Sequence, residues 1–172
     1  MRKLSGFIDE SKDPKYIVAC TFIDSHSADA ARRVLRSLLL RGELRLHFKS
    51  ERATRRAQLL SAMASLQTRS IIYVGNHRRH SDSRRAALET LIDDAIALNA
   101  ERLVLETDDS TMAADRRIIA SRLRSAPSTL RYEHLRAREE PLLWVSDAVA
   151  WCWQHRDWRP RVLPLVTQVR KV

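Results

Sequence analysis

The sequence predicts an α/β fold: a mixed β-sheet that opens with an antiparallel hairpin, continues with parallel strands and is flanked by helices. Three observations carry this. Two apolar, β-rich stretches, Gly6–Glu10 and Tyr16–Ile23, are separated only by the polar turn Ser11-Lys12-Asp13-Pro14-Lys15, the pattern of a hairpin. Short apolar runs then alternate with segments of helical period, the pattern of strands joined by crossover helices. No repeat, linker or low-complexity tract interrupts the 172 residues, enough for one well-buried core and short for two, so a single domain over 1–172 is expected.

In chain order, Ser25–Ser27 offers N-caps for a helix over about Ala28–Arg41, with Val34, Leu35, Leu38 and Leu39 on one side and Gly42 as its stop. Leu44–Phe48 alternates well enough to be a third strand, at an edge. Ser50 caps a helix to about Leu66, apolar at Leu59, Leu60, Met63 and Leu66. Ser70–Val74 is a fully apolar strand of the kind buried between helical layers. The polar loop Gly75–Asp82 leads into a helix from about Arg84 to Asn99, striped by Leu88, Leu91, Ile92, Ala95 and Ile96. Arg102–Thr107 is the next strand, and Ser110 or Thr111 caps a helix to about Arg124, which Pro127 breaks. Thr129–His134 is a last strand, and Pro141 starts a final helix, Leu142–His155. The tail from Trp158, with Pro160 and Pro164, is expected to be irregular.

The outlying total is the charge. A formal +10, with Arg far outnumbering Lys, favours a polyanionic partner, nucleic acid first and an anionic membrane second; Arg and Ala inflated together by a GC-rich genome is the bland explanation. Cys20 and Cys152 show no framework or metal spacing, and each lies in an apolar segment, as buried thiols of a reducing compartment do. Arg2 and Lys3 are followed by no apolar run of signal-peptide length before Asp9 and Glu10, and no apolar run has the length to cross a bilayer, so a cytoplasmic location is expected.

Carboxylates in apolar settings are the chemically informative residues, because burying one costs several kcal/mol unless it is paired or bound to a cation. Asp9 and Glu10 end a strand that reads as central and buried, and alternation sends them to opposite faces, so one of them at most enters a site on a given face. Asp9 is either a metal ligand of a nuclease or, with Glu10, the start of a solvated turn. Glu106 and Asp108 share a face with Val104, also at the carboxyl end of a strand, where α/β sheets gather functional groups. Asp108 and Asp109 also suit the approach to a helix N-terminus, which explains Glu106 poorly. Asp147 has Leu143, Trp144, Ala150 and Trp151 at three and four residues, so it is a charge on an apolar helix face, held by a buried Arg or by a cation. Acids from two strand ends and a C-terminal helix suit Mg²⁺ or Mn²⁺, hard cations that take oxygen ligands, and two such ions about 4 Å apart catalyse phosphodiester hydrolysis.

Phe7-Ile8-Asp9-Glu10-Ser11-Lys12-Asp13 resembles the opening signature, an acidic pair followed by Ser-Gly-Asp, of the bacterial and phage family known as domain of unknown function 3800. Trp144-Val145-Ser146-Asp147-Ala148-Val149-Ala150 resembles its closing Ala-Asp-x-x-Ala helix, and Glu43 with His47 resembles its central Glu-x-His segment at a looser spacing. Lys12 stands where the family usually has Gly, which puts in question the turn after the acidic pair and the role of Glu10. The resemblance implies a ribonuclease H-like fold, with a closing helix similar to that of RuvC-type Holliday-junction resolvases. It further implies a Mg²⁺- or Mn²⁺-dependent nuclease using Asp9, Asp147 and Glu106 or Asp108.

Glu10 and His47 are expected as secondary members of the site, His47 as a general acid or as a group behind the ligands, the other reading being a structural histidine of its strand. The loop Asn76–Arg85, with Arg78, Arg79, His80, Arg84 and Arg85, is the densest basic patch and is expected to grip phosphates, or else to be a solvated loop. Trp144, Trp151, Trp153 and Trp158 read as core, with base stacking by Trp158 as the other reading. A homodimer is compatible with the sequence. The rival readings are a non-catalytic module on the same fold, binding nucleic acid or a host protein, and a protein-binding inhibitor or toxin.

Overall fold

The computed structural model describes residues 2–126 and 128–172. The strands are β1 (Leu4–Ser11), β2 (Ile17–Asp24), β3 (Arg69–Val74), β4 (Ala100–Glu106), β5 (Arg131–Leu135) and β6 (Val166–Lys171). The helices are α1 (Ala28–Ser37), α2 (Ala53–Ala64), α3 (His80–Ala97), α4 (Met112–Ser125), α5 (Leu142–Gln154) and the short α6 (Arg159–Val162). They build one six-stranded sheet in the order β5-β4-β1-β2-β3-β6. β2 runs antiparallel to both β1 and β3, whereas β4 pairs parallel with β1, β5 with β4, and β6 with β3. The hairpin followed by parallel strands is therefore as expected.

Alternation along β1 divides the interior in two. Phe7 faces a core that includes Ile17, Leu59, Met63, Val104, Trp144 and Val149, built mostly from α5 and α2 against the sheet. Ile8 faces the other, with Val18, Cys20, Leu88, Leu91, Leu105 and Ile119, under α3 and α4. Cys20 and Cys152 thus lie on opposite sides of the sheet and are free thiols, the burial of Cys152 pushing its pKa up to about 12. Gly6 is required at the middle of β1: a Cβ there would lie 2.7 Å from Leu103 Cδ2 and 2.9 Å from Phe22 Cε1.

α5 is the helix that matters for function. It crosses β1 and is pinned by Ser146, whose hydroxyl donates to the Phe7 carbonyl at 2.7 Å and lies 2.8 Å from Thr21 Oγ1. At its far end Gln154 donates to the Lys15 carbonyl and to Ser11 Oγ, fixing the helix to the β1–β2 turn. Among the described residues no helix is long and apolar enough to cross a membrane.

Two expectations fail. Leu44–Phe48 is not a strand: its alternation, with Leu46 and Phe48 buried and Leu44 69% exposed, belongs to an irregular loop that plugs the core. The backbone there is satisfied by side chains, Phe48 N–H by Asp147 and the Phe48 and Lys49 carbonyls by Arg56. The tail from Trp158 is not irregular, because beyond Pro164 nothing prevents pairing and Val166–Lys171 adds an edge strand to β3. Only Val166 and Arg170 of that strand are even partly covered, so its apolar signal is weak. α1 also stops at Ser37, ahead of the turn in which Gly42 takes a positive φ of 85°. Pro127, expected to break the fourth helix, lies outside the described residues.

Candidate functional site

β1 and β4 are parallel neighbours, with Phe7 opposite Val104 and Ile8 opposite Leu105, so their carboxyl ends reach the same edge of the sheet. Asp9 follows the parity of Phe7, and Glu106 that of Val104, which places both on the α5 face. Asp147 follows Ser146 directly, and the anchoring of that serine to β1 holds it above the same edge. Three acids separated by about a hundred and forty positions of chain thus line one cleft of about 780 Å³, together with His47, Lys49, Trp151 and His155.

The electrostatics of this cleft are unbalanced at its base. Burial, followed by the charges of Asp147 and Glu106, raises the Asp9 carboxyl well above the usual carboxylate range; a hydrogen bond with Glu106 adds to this. Among the described residues its one hydrogen bond to a donor is from the Glu10 amide, 2.7 Å to Oδ1, and no basic partner lies within 4 Å. Asp147 is also raised, mainly by burial, against the pull of the Phe48 amide (2.9 Å), His47 and Arg45. His47 Nδ1 lies 3.8 Å from its carboxylate. Asp147 therefore grips no guanidinium, which removes the Arg partner as its explanation. Glu106 is the acid with one: Arg45 Nη1 donates to it at 2.9 Å.

The other expected residues divide differently. Glu10 projects to the α3–α4 face, where it pairs with Arg84 and Tyr16 and with Lys12 at 3.0 Å. Lys12 also reaches Asp108 at 3.6 Å, so it bridges two acids of the cleft rim. Asp108 accepts from Ser110 N–H and Oγ in the turn before α4, which holds its carboxyl below the usual range. Of the two alternatives, Glu106 is the one beside Asp9. Glu43 caps the Leu40 amide at 2.9 Å in the preceding loop.

Arg78, Arg79, His80 and Arg85 are exposed. Arg78 and Arg79 are in the loop after Val74, whereas His80 and Arg85 already belong to the first turns of α3; since Val74 pairs with Ile17 opposite Ser11, the loop sits at the same sheet edge as the acids. Arg84 differs: it is buried, and each guanidinium nitrogen is engaged within the protein, Nε and Nη2 by Asp115 at 2.7 Å and Nη1 by Glu10 and Tyr16. Residues that sequence reasoning missed are Arg45, hidden in the run assigned to a strand, and the pair Trp151 and His155. For the latter a signal existed, since they follow Asp147 at steps of four.

Hard oxygen donors, one of them buried among like charges, fit a Mg²⁺ or Mn²⁺ ion by chemistry. As they stand, no three His, Cys, Asp or Glu side chains among the described residues are arranged to hold one.

The RNase HII chain in a structure of the PCNA:RNase HII complex from Archaeoglobus fulgidus superimposes with a TM-score of 0.59 at 16% identity, over 92% of this chain and 76% of that one. The fold is ribonuclease H-like. No protein-family model matches the sequence, so the resemblance to domain of unknown function 3800 rests on its short motifs alone. No curated protein matches it either. At this identity the ribonuclease H-like likeness is one of architecture, and the chemistry has to be argued from the cleft.

Proposed function

We propose that this protein is a nuclease that hydrolyses phosphodiester bonds of DNA or RNA with Mg²⁺ or Mn²⁺ held by Asp9, Glu106 and Asp147. The observation that carries the reading is Asp9, a carboxylate buried at the end of the central strand beside two further acids and, among the described residues, without a basic partner. Such a group is costly unless a cation completes it. When bound, the cation supplies Lewis acidity toward a phosphoryl oxygen. The protein's part is positioning. Ser146 and Gln154 fix α5, and so Asp147, against β1. In this reading His47, 3.8 Å from Asp147, donates a proton to the leaving oxygen. Lys49 at the cleft wall and Arg78, Arg79 and Arg85 at the same sheet edge hold the backbone, giving affinity that falls steeply with salt. Kinship with domain of unknown function 3800 and a reducing, cytoplasmic setting belong to the same reading.

A second reading has a specific observation in its favour. Arg45 neutralises Glu106 in the present arrangement, as expected of a module that keeps the fold and binds nucleic acid without cutting it. End-labelled DNA and RNA oligonucleotides incubated with Mn²⁺ or Mg²⁺ separate the two. Cleavage that drops on the order of 10²-fold or more in Asp9→Asn and Asp147→Asn supports the nuclease. Salt-sensitive binding without cleavage leaves the module.

A further inference from the structure

Asp147, Trp151 and His155 succeed one another at steps of four, so they form one stripe along α5 and just past its end, and all three line the cleft. The stripe leads from the carboxylates to a stack of rings. His155 lies on the Trp151 indole with centroids 3.7 Å apart and planes 16° apart. Its Nδ1 is 2.7 Å from the Trp151 carbonyl, which only accepts, so this nitrogen carries the proton and the ring plane is fixed. The Arg56 guanidinium lies over the same indole at 4.1 Å. Two groups that close cannot share one face, so the indole is sandwiched between them. Arg56 is itself held by the Phe48 and Lys49 carbonyls at 3.0 and 2.7 Å, and Phe48 and Trp158 meet the indole edge-on. The indole is thus braced by Arg56, Phe48 and Trp158, while His155, stacked on it, is exposed.

The cleft carries both signs of charge. Among its acids, Glu10 and Asp108 are paired with Lys12, and Glu10 also with the buried Arg84. His47, 3.8 Å from Asp147, and Lys49 enter it from the loop whose carbonyls hold Arg56 over the Trp151 indole. A phosphate backbone held at the carboxylates by these residues therefore passes beside the rings.

We propose that the His155–Trp151 stack is a nucleobase platform, and that the cleft takes a single-stranded or locally unpaired nucleotide whose base lies on His155. In a paired duplex both faces of a base are covered by its neighbours, so only a base outside the stack offers a face to a side chain. An aromatic platform is sequence-tolerant, so the preference is for unpaired structure and not for a given base. This rests on the reading of the cleft as a phosphodiester site.

The test uses the full-length protein with Asp9→Asn to prevent cleavage, and a single-stranded oligonucleotide carrying 2-aminopurine, a base whose fluorescence stacking quenches. The expected result is quenching on binding and tighter binding of the single strand than of the same sequence as duplex. Adding His155→Ala removes the quenching and weakens the single strand roughly 5- to 20-fold, leaving duplex affinity unchanged, while His155→Phe restores both. Thermal melting of each variant checks that the fold is intact, as the exposed position of His155 leads one to expect. Unchanged quenching and affinity in His155→Ala overturn the platform while leaving the nuclease reading intact. Failure of the protein to bind any nucleic acid overturns both.

Discussion

Two acidic clusters share one end of the sheet, on opposite faces, and they are built on opposite principles. On the α3–α4 side, Glu10, Arg84, Asp115, Tyr16 and His134 form a closed network: Asp115 is fully buried, Arg84 bonds to it twice, and His134 Nε2 lies 3.3 Å away. On the α5 side, Asp9, Glu106 and Asp147 crowd together, and no basic side chain among the described residues pairs with Asp9. The residues concerned are neighbours, Asp9 and Glu10, separated only by the alternation of a strand. Burial of acid is thus not in itself a sign of chemistry. Lack of compensation is, because a fold that can neutralise one carboxylate with Arg84 has left the next one bare.

Substitutions on the two sides are expected to move stability in opposite directions. The largest effect belongs to Arg84→Met, which strands Glu10 and Asp115 and is expected to cost about 3–5 kcal/mol in urea or thermal unfolding. A cost below about 1 kcal/mol would mean that the network is not the structural half of the comparison.

Asp9→Asn is expected to do the reverse, stabilising the metal-free protein at neutral pH by about 1–3 kcal/mol while abolishing cleavage. The pH dependence follows from the raised carboxyl. Folded Asp9 holds its proton more tightly than unfolded Asp9, so between the ordinary carboxylate pKa and the raised one the folded state binds more protons. Stability contributed by this group is therefore present at low pH and lost as pH rises through that window. Melting temperatures of wild type and Asp9→Asn should converge in acid and diverge toward neutrality.

A smaller effect is expected for Arg45→Ala. It frees Glu106, so Mn²⁺ affinity should rise by a few fold while stability changes by at most about 1 kcal/mol, the pair being partly exposed. Smallest is Lys12→Ala, where an exposed lysine bridges Glu10 and Asp108; a change within about 0.5 kcal/mol is expected on thermal melting.

The same comparison explains what could be read without a structure. Asp9, Glu106 and Asp147 were legible because each breaks a local apolar pattern: a strand end, the interior of an apolar run, an apolar helix face. The compensated cluster was not. Asp115 sits in the first turn of α4, where an acid is unremarkable, and Arg84 was one basic residue in a basic loop. Their pairing depends on contacts 31 positions apart, which no local period encodes. Leu44–Phe48 misled for the converse reason, since alternating burial arises wherever a chain plugs a core, with or without a ladder. The edge strand β6 escaped because half-exposed edge strands carry little apolar signal.

The most direct test is calorimetric titration of Mn²⁺ into the wild-type protein, Asp9→Asn, Asp147→Asn and Arg84→Lys. The account expects binding by the wild type, loss of it in both asparagine variants, and retention in Arg84→Lys, since the compensated face holds no ion. Wild-type protein that binds no Mn²⁺, or binding indifferent to both Asp9 and Asp147, would contradict it.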